Sequence, residues 1–189
     1  MESLLKQGKS DCIKVVLFGP ESTGKTTLAK QLAEHYQTKW VPEYMRDYLQ
    51  EKWDNRQKTC EQEDLLPIAI GQMKLENKLV KDAKSILFCD TNLLEIKTYS
   101  EIYYDGECDP LILKYASENI YDLYFLTYID VPWEKDDLRD KPNEREHMFK
   151  AFENALIAYK RPYVLLKGDK SERLKIAIAH IDNLLKNRE

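Results

Sequence analysis

The chain has 189 residues, 43% of them hydrophobic and 33% charged, which suits one domain or a domain with a small lid, with enough chain to bury a full sheet. The formal net charge is −4, and Lys and Arg are scattered rather than banked on one face, so nothing invites nucleic acid or an anionic membrane surface. No apolar run approaches the roughly 20 residues of a membrane span. The start, Met1-Glu2-Ser3-Leu4-Leu5-Lys6, lacks the apolar stretch and cleavage site of a signal peptide. The four cysteines, Cys12, Cys60, Cys89 and Cys108, form no C-x-x-C pair and have no histidine at ligand spacing. They read as reduced thiols of a cytoplasmic protein.

Residues 1–11 are polar and predict a loose arm. Ile13 to Phe18 is a short apolar run that reads as a buried strand. Directly after it, Gly19-Pro20-Glu21-Ser22-Thr23-Gly24-Lys25-Thr26-Thr27 fits G-x-x-x-x-G-K-[ST]. Leu28, Leu32 and Tyr36, with Ala29 and Ala33 beside them, then recur at helical spacing and predict a helix over about 25–36. Strand, loop and helix in that order are what a phosphate-binding loop requires, because free loop N–H groups and the helix N-terminus together make an anion nest. The pattern implies a nucleoside triphosphate site made by Gly19, Glu21, Ser22, Thr23, Gly24, Lys25, Thr26 and Thr27. In such a loop the lysine, here Lys25, reaches the β- and γ-phosphates, and the Thr26 hydroxyl ligates Mg²⁺.

Lys39 to Val41 predicts a short strand. Pro42 suits the first position of the next helix, with Glu43 favoured by the positive helix end, and Tyr44 and Tyr48 share a face. The charged stretch 53–63 reads as a loop. Asp64 is a candidate N-cap for a helix with Pro67 in its first turn and a buried stripe of Leu66, Ile70, Met73 and Val80. Residues 85–89 predict a buried strand that ends at Asp90. A tyrosine-rich, partly helical stretch (Tyr99, Tyr103, Tyr104) follows, and Asp109-Pro110 opens a helix through Tyr115. Residues 123–129 predict a strand, and 133–143 are too charged to be core. Met148, Phe149, Phe152, Leu156 and Tyr159 mark a longer helix, and 163–166 the last strand. Gly168-Asp169 caps a final helix with the stripe Leu174, Ala177, Ile178, Ile181 and Leu185.

Alternation of this kind predicts an α/β fold: a five-stranded parallel sheet with right-handed crossovers and helices on both faces; likeness to phosphate-loop nucleoside and nucleotide kinases implies the strand order 2-3-1-4-5. One kinase-like domain over 12–187 then follows the arm, with a lid at about 133–143. Asp90 is expected beside the phosphate loop, on the metal side with Thr26.

Guanine readers carry N-K-x-D; Asn77-Lys78-Leu79-Val80 begins like one and lacks the aspartate. Motor-type ATPases place a glutamate after the strand-end aspartate to polarise water, whereas Asp90 is followed by Thr91. Small kinases instead close a charged lid over the phosphates, and Arg139 and Arg145 stand where a lid would supply them. A charged, solvated loop is the plainer reading of the same residues.

Five blocks occur in series: Gly19 to Thr27, Trp40-Val41-Pro42-Glu43-Tyr44-Met45-Arg46, Ile68-Ala69-Ile70-Gly71-Gln72, Phe88-Cys89-Asp90-Thr91, and Asp130-Val131-Pro132-Trp133 through Arg139. Together they resemble the ribosylnicotinamide kinase domain of NadR-type proteins over about residues 12–185. Asn92 departs from the pattern, since an acidic residue is expected there in many relatives. The adenylyltransferase and DNA-binding modules that such proteins also carry have no room in 189 residues, so the kinase alone is expected. The resemblance implies phosphorylation of the 5′-hydroxyl of nicotinamide riboside by ATP with Mg²⁺, in a salvage route to NAD.

The nicotinamide ring is a flat cation that suits aromatic faces, offered by Trp40, Tyr44, Tyr48, Tyr99, Tyr103 and Tyr104. Glu43, Asp47 and Asp90 are the candidate carboxylates for the ribose diol and the 5′-hydroxyl, with Asn92 a further substrate contact. Glu43 also suits a purely helix-end role. Two other readings stay open: a kinase for another nucleoside or nucleotide, and a nucleotide-dependent regulatory switch.

Overall fold

The computed structural model describes residues 2–136, 138–139 and 141–188. Five strands, β1 (Ile13–Phe18), β2 (Trp40–Val41), β3 (Ile86–Asp90), β4 (Leu123–Thr127) and β5 (Tyr163–Leu166), form one sheet in the order β2-β3-β1-β4-β5. Every neighbouring pair is parallel. Leu17, near the end of the central strand, is in register with Asp90 on one side and Phe125 on the other. The chain therefore leaves β1 at the carboxyl edge of the sheet, beside Asp90, where ligands of open parallel sheets bind.

Among the described residues seven helices cover the sheet: α1 (Lys25–His35), α2 (Tyr44–Arg56), α3 (Leu65–Leu79), α4 (Leu93–Tyr103), α5 (Pro110–Glu118), α6 (Arg145–Ala158) and α7 (Lys170–Lys186). Ile13, Val15 and Leu17 pack with Leu28 and Leu32 of α1 and with Ala177 and Ile181 of α7. Val16 and Phe18 point the other way, into a larger core with Ile68 and Met73 of α3, Ile96 of α4 and Phe152 of α6. Burial on both faces is why β1 reads as an apolar run without alternation.

Lys14 breaks that run. Its ammonium donates to Glu76 Oε1 of α3 at 3.0 Å, inside the larger core. Glu76 also accepts from Gln7 Nε2 at 3.0 Å and from the Tyr121 hydroxyl at 2.7 Å. The buried seam of α3 is therefore Leu65, Ile68, Ala69, Gln72, Met73 and Glu76, while Leu66 and Ile70 of the expected stripe are half-buried. An apolar-only search for periodicity passes over the two polar members.

Other boundaries also move. Helix α2 starts at Tyr44, two residues after Pro42, and runs to Arg56 into the expected loop. Asp64 caps a 3₁₀ turn at Gln62–Asp64 reciprocally with Glu61, accepting Glu61 N–H at 2.7 Å, rather than capping α3 with its side chain. The expected loose arm is pinned: Leu5 is fully buried, Gln7 N–H donates to Asn119 Oδ1, and Gly8 N–H donates to Asn77 Oδ1 at 2.7 Å. Met1, and Asp137 and Asp140 of the expected lid, lie outside the described residues. No described helix is long and apolar enough to cross a membrane.

Candidate active site

The loop from β1 to α1 takes left-handed backbone at Gly19 (φ 139°), Ser22 (φ 55°) and Gly24 (φ 86°). A Cβ on Gly19 would lie 2.7 Å from Thr127 Oγ1, so both conformation and space require glycine there. Thr23 is buried, and its hydroxyl lies 2.7 Å from both Pro20 O and Thr127 Oγ1, which fastens the loop to β4. Gly24 is the N-cap of α1 and supplies no side-chain cap. The first N–H groups of α1 and those of the loop thus form a concave cradle for anionic oxygens.

Lys25 sits at the floor of this cradle, buried. Its ammonium donates to Gly19 O at 2.6 Å and Pro20 O at 3.1 Å, and pairs with Glu95 Oε1 at 3.2 Å. Burial opposes its charge, yet Glu95, Glu43 and Asp90 together hold its pKa above the ordinary lysine value. Asp90 Oδ2 accepts the Thr26 hydroxyl at 2.5 Å, while Oδ1 is buried and accepts no hydrogen bond among the described residues. Burial, helped by the negative charge of Glu43, pushes Asp90 up to about 6. Burial likewise pushes Glu95 up to about 8, against the pull of Lys25.

A hard, unshared carboxylate oxygen beside a threonine hydroxyl fits Mg²⁺, which takes one or two protein oxygens and completes its shell with water and phosphate. Thr26 and Asp90 are the residues that would hold it.

The cradle opens into a cleft of about 1080 Å³. On one side it is lined by Asp130, Val131, Pro132, Gly168, Asp169 and Arg173. The other side is lined by Glu43, Met45, Arg46 and Leu49 of α2, Leu65 of α3, and Tyr99, Tyr103 and Tyr104 around the end of α4. Glu43 is the N-cap of α2, but its side chain makes no capping hydrogen bond.

From the charged segment, Glu134, Leu138 and Arg139 also line the cleft. Glu134 N–H donates to Ser22 Oγ at 2.9 Å, and Arg139 donates to Glu134 O at 2.6 Å. Arg46 of α2 reaches across to Asp136 at 2.6 Å, and Asp136 also lies 3.1 Å from Arg139 Nε. Arg145 opens α6 and donates to Val131 O and Ser22 O at 2.9 and 3.3 Å.

Glu21, Ser22, Thr23, Gly24, Lys25, Thr26 and Thr27 line one cleft with Glu43, Tyr99 and Arg139, and Gly19, Asp90 and Arg145 touch that lining through Lys25, Thr26 and Ser22. The structure places four expected substrate contacts elsewhere. Trp40 faces the α1 side of the sheet, with Lys30 Nζ 5.4 Å from its ring centroid, because neighbouring strand residues point to opposite faces and Val41 takes the other. The ring of Tyr44 lies on the backbone of α3, where a Cβ on Gly71 would be 2.1 Å from Tyr44 Cε1. Asp47 is on the exposed face of α2. Asn92 is buried as the N-cap of α4: its Oδ1 accepts Glu95 N–H at 3.1 Å and its Nδ2 donates to the Tyr124 hydroxyl at 2.9 Å.

Glu95, Arg46 and Arg173 were not singled out from the sequence as site residues. Glu95 follows Asn92 at the spacing of a capping box, which disguises a site carboxylate as a helix-start signal. Arg173 is buried in the first turns of α7, where it donates to Thr23 O at 2.6 Å and Tyr128 O at 2.8 Å and pairs with Asp130. An arginine between a cap and an apolar stripe carries no sequence mark of that position.

Residues 14–173 match the family described as AAA domain. Over 143 residues the chain is 30% identical to the trifunctional NAD biosynthesis/regulator protein NadR of Salmonella typhimurium, covering 76% of this chain and 34% of that protein. It thus spans about a third of the length of this curated relative. Among solved structures, a NadR protein in complex with NR matches with a TM-score of 0.78 at 20% identity, over 92% of this chain and 51% of the other. A NadR protein in complex with NAD and AMP-PNP matches at 0.75 and 20%, over 92% and 49%. Thymidylate kinase from Candida albicans matches at 0.67 and 15%, over 96% of both chains. At these identities the structural likeness speaks for the fold alone, the five-stranded parallel sheet of nucleoside and nucleotide kinases. The chain belongs to the AAA-domain family of phosphate-loop proteins and is homologous to NadR over most of its length.

Proposed function

We propose that the chain is an ATP-dependent phosphotransferase that phosphorylates the 5′-hydroxyl of nicotinamide riboside, giving nicotinamide mononucleotide for NAD synthesis. The observation that carries this reading is one cleft with a phosphate cradle at its centre and a carboxylate with aromatic faces on the acceptor side. The homology to NadR and the NadR structures with NR and with AMP-PNP point the same way.

Each residue then has a task. The loop N–H groups and Lys25 bind the nucleotide's phosphates and stabilise charge that develops on the transferring group. Thr26 and Asp90 hold Mg²⁺, which when bound neutralises phosphate charge. Of the carboxylates considered from the sequence, Asp47 is outside the cleft and Asp90 is engaged with Thr26, so Glu43 is the proton acceptor for the 5′-hydroxyl. Tyr99 and its neighbours on the cleft wall offer ring faces to a pyridinium cation. Arg139 and Arg145 sit on the lid side, where closure would bring guanidinium groups toward the γ-phosphate and exclude water.

The test is kcat/KM for nicotinamide riboside, uridine and adenosine under identical Mg·ATP, with mass analysis of products. Nicotinamide riboside should lead, since a neutral base forgoes a cation–π interaction of about 0.5–2 kcal/mol, roughly 2- to 30-fold. Equal values, or preference for a neutral nucleoside, would sink the nicotinamide assignment and leave a kinase for another nucleoside. Tight nucleotide binding with no transfer to any small molecule would favour the regulatory switch.

A further inference from the structure

Lys25 is fully engaged by the protein: two carbonyls of its own loop and the Glu95 carboxylate surround its ammonium. Glu95 is the weaker side of this arrangement. It is 1% exposed, its Oε1 has only the ion pair, and neither oxygen accepts a hydrogen bond among the described residues. The charges that act on it besides Lys25 are Glu43 and Asp90, both negative. A phosphate entering the cradle needs the same ammonium that Glu95 holds, and Lys25 cannot satisfy both fully.

We propose that Glu95 is a positioning residue: it holds the Lys25 ammonium in reserve at the floor of the cradle and surrenders it to the nucleotide's β-phosphate. The exchange moves no covalent bond. It sets the affinity for di- and triphosphates below what the cradle alone would give, because each binding event separates a buried pair. Product diphosphate then leaves with the help of a carboxylate that takes the lysine back. This rests on the nucleotide-binding half of the proposed function and is independent of the acceptor.

The experiment is titration of Glu95→Gln with ADP and with AMP at about pH 9, where the Glu95 carboxyl is ionised, in the absence of any acceptor nucleoside. Glutamine keeps the shape and releases the lysine, so ADP should bind about tenfold tighter than to the unaltered protein. AMP, with no β-phosphate for Lys25 to reach, should bind equally to both. Combining Glu95→Gln with Lys25→Ala should abolish the gain for ADP relative to Lys25→Ala alone. Unchanged or weaker ADP binding overturns the proposal. A gain that is equal for AMP, or that survives without Lys25, also overturns it, since simple charge repulsion would then explain it. If neither protein binds ADP at all, the phosphate-loop reading falls and the exchange with it; a protein that binds ADP but transfers nothing to nicotinamide riboside leaves the exchange standing.

Discussion

Two buried lysine–glutamate pairs lie toward opposite ends of the central strand β1, and they are built differently. Glu76, which pairs with Lys14, accepts from three donors: a lysine, a glutamine and a tyrosine. Glu95, which pairs with Lys25 at 3.2 Å, has no other partner on either oxygen among the described residues. Both pairs have the same formal charge and nearly the same burial. The first is a closed network that fixes the N-terminal segment, α3 and the approach to β4 together. The second is an open contact in which one partner is available to a ligand. Burial of a charge pair does not reveal its role; the satisfaction of its remaining lone pairs does.

The comparison breaks most visibly in stability. Glu76→Ala leaves Lys14 charged and unpaired in the core and should cost about 3–5 kcal/mol in urea denaturation. Lys25→Ala should cost far less, because the Glu95 carboxyl, already pushed up to about 8 against the pull of Lys25, stays protonated and uncharged once its partner is gone. If the two variants lose equal stability, the distinction drawn between the pairs is wrong. In activity the order reverses. Lys25→Ala should lower phosphoryl transfer by about 10²–10³-fold or more, with the fold intact, since it removes the cation built into the cradle.

The pH dependence sharpens the contrast further. Glu95 is pushed up to about 8 in the folded protein from an ordinary value of 4.5. Between those values the folded state holds more protons than the unfolded chain, so stability falls as pH rises through the window, by up to about 1.4 kcal/mol per unit. Asp90, pushed up to about 6, adds a term of the same sign below that value only. Urea midpoints compared above about pH 6 should therefore decline in the unaltered protein and stay flatter in Glu95→Gln. A parallel decline in both proteins would assign the slope to other groups.

The smallest effect concerns Tyr99, one turn beyond Glu95 on α4. Tyr99→Leu should reduce the preference for nicotinamide riboside over uridine by about 2- to 30-fold, leaving ADP affinity unchanged. A shift in ADP affinity instead would place Tyr99 with the phosphate side of the cleft.

The phosphate side was readable because its chemistry is contiguous: nine residues carry the turn glycines, the lysine and the metal hydroxyl, and the strand before them is apolar throughout. The parallel sheet followed from the alternation of elements, the strand order from likeness to phosphate-loop kinases, and the Asp90 position from its place at a strand's carboxyl end. The acceptor side was not readable in the same way, because it is assembled from α2, α3, α4 and the lid segment, and which face of each points inward is decided by packing. Trp40 illustrates this: its place in a motif suggested a ligand contact, and the period of two along β2 turned it to the opposite face of the sheet. Asn92 failed differently. A polar residue after a strand-end aspartate reads as a substrate contact, but the helix beginning at Leu93 claims it as a cap. The buried glutamates of α3 and α4, Glu76 and Glu95, were invisible to an apolar count and to a cap pattern respectively.

The contact between Tyr44 and Gly71 has a mechanical consequence. With ring against bare backbone and no room for even one carbon between them, α2 has no clearance to move toward α3. That makes α2, with Glu43 at its head, the fixed jaw of the cleft. The half-exposed Arg46–Asp136 pair ties that jaw to the charged segment across the cleft. Replacing Gly71 with any larger residue would push the fixed jaw outward and widen the gap between Glu43 and the cradle, even though Gly71 lies outside the cleft.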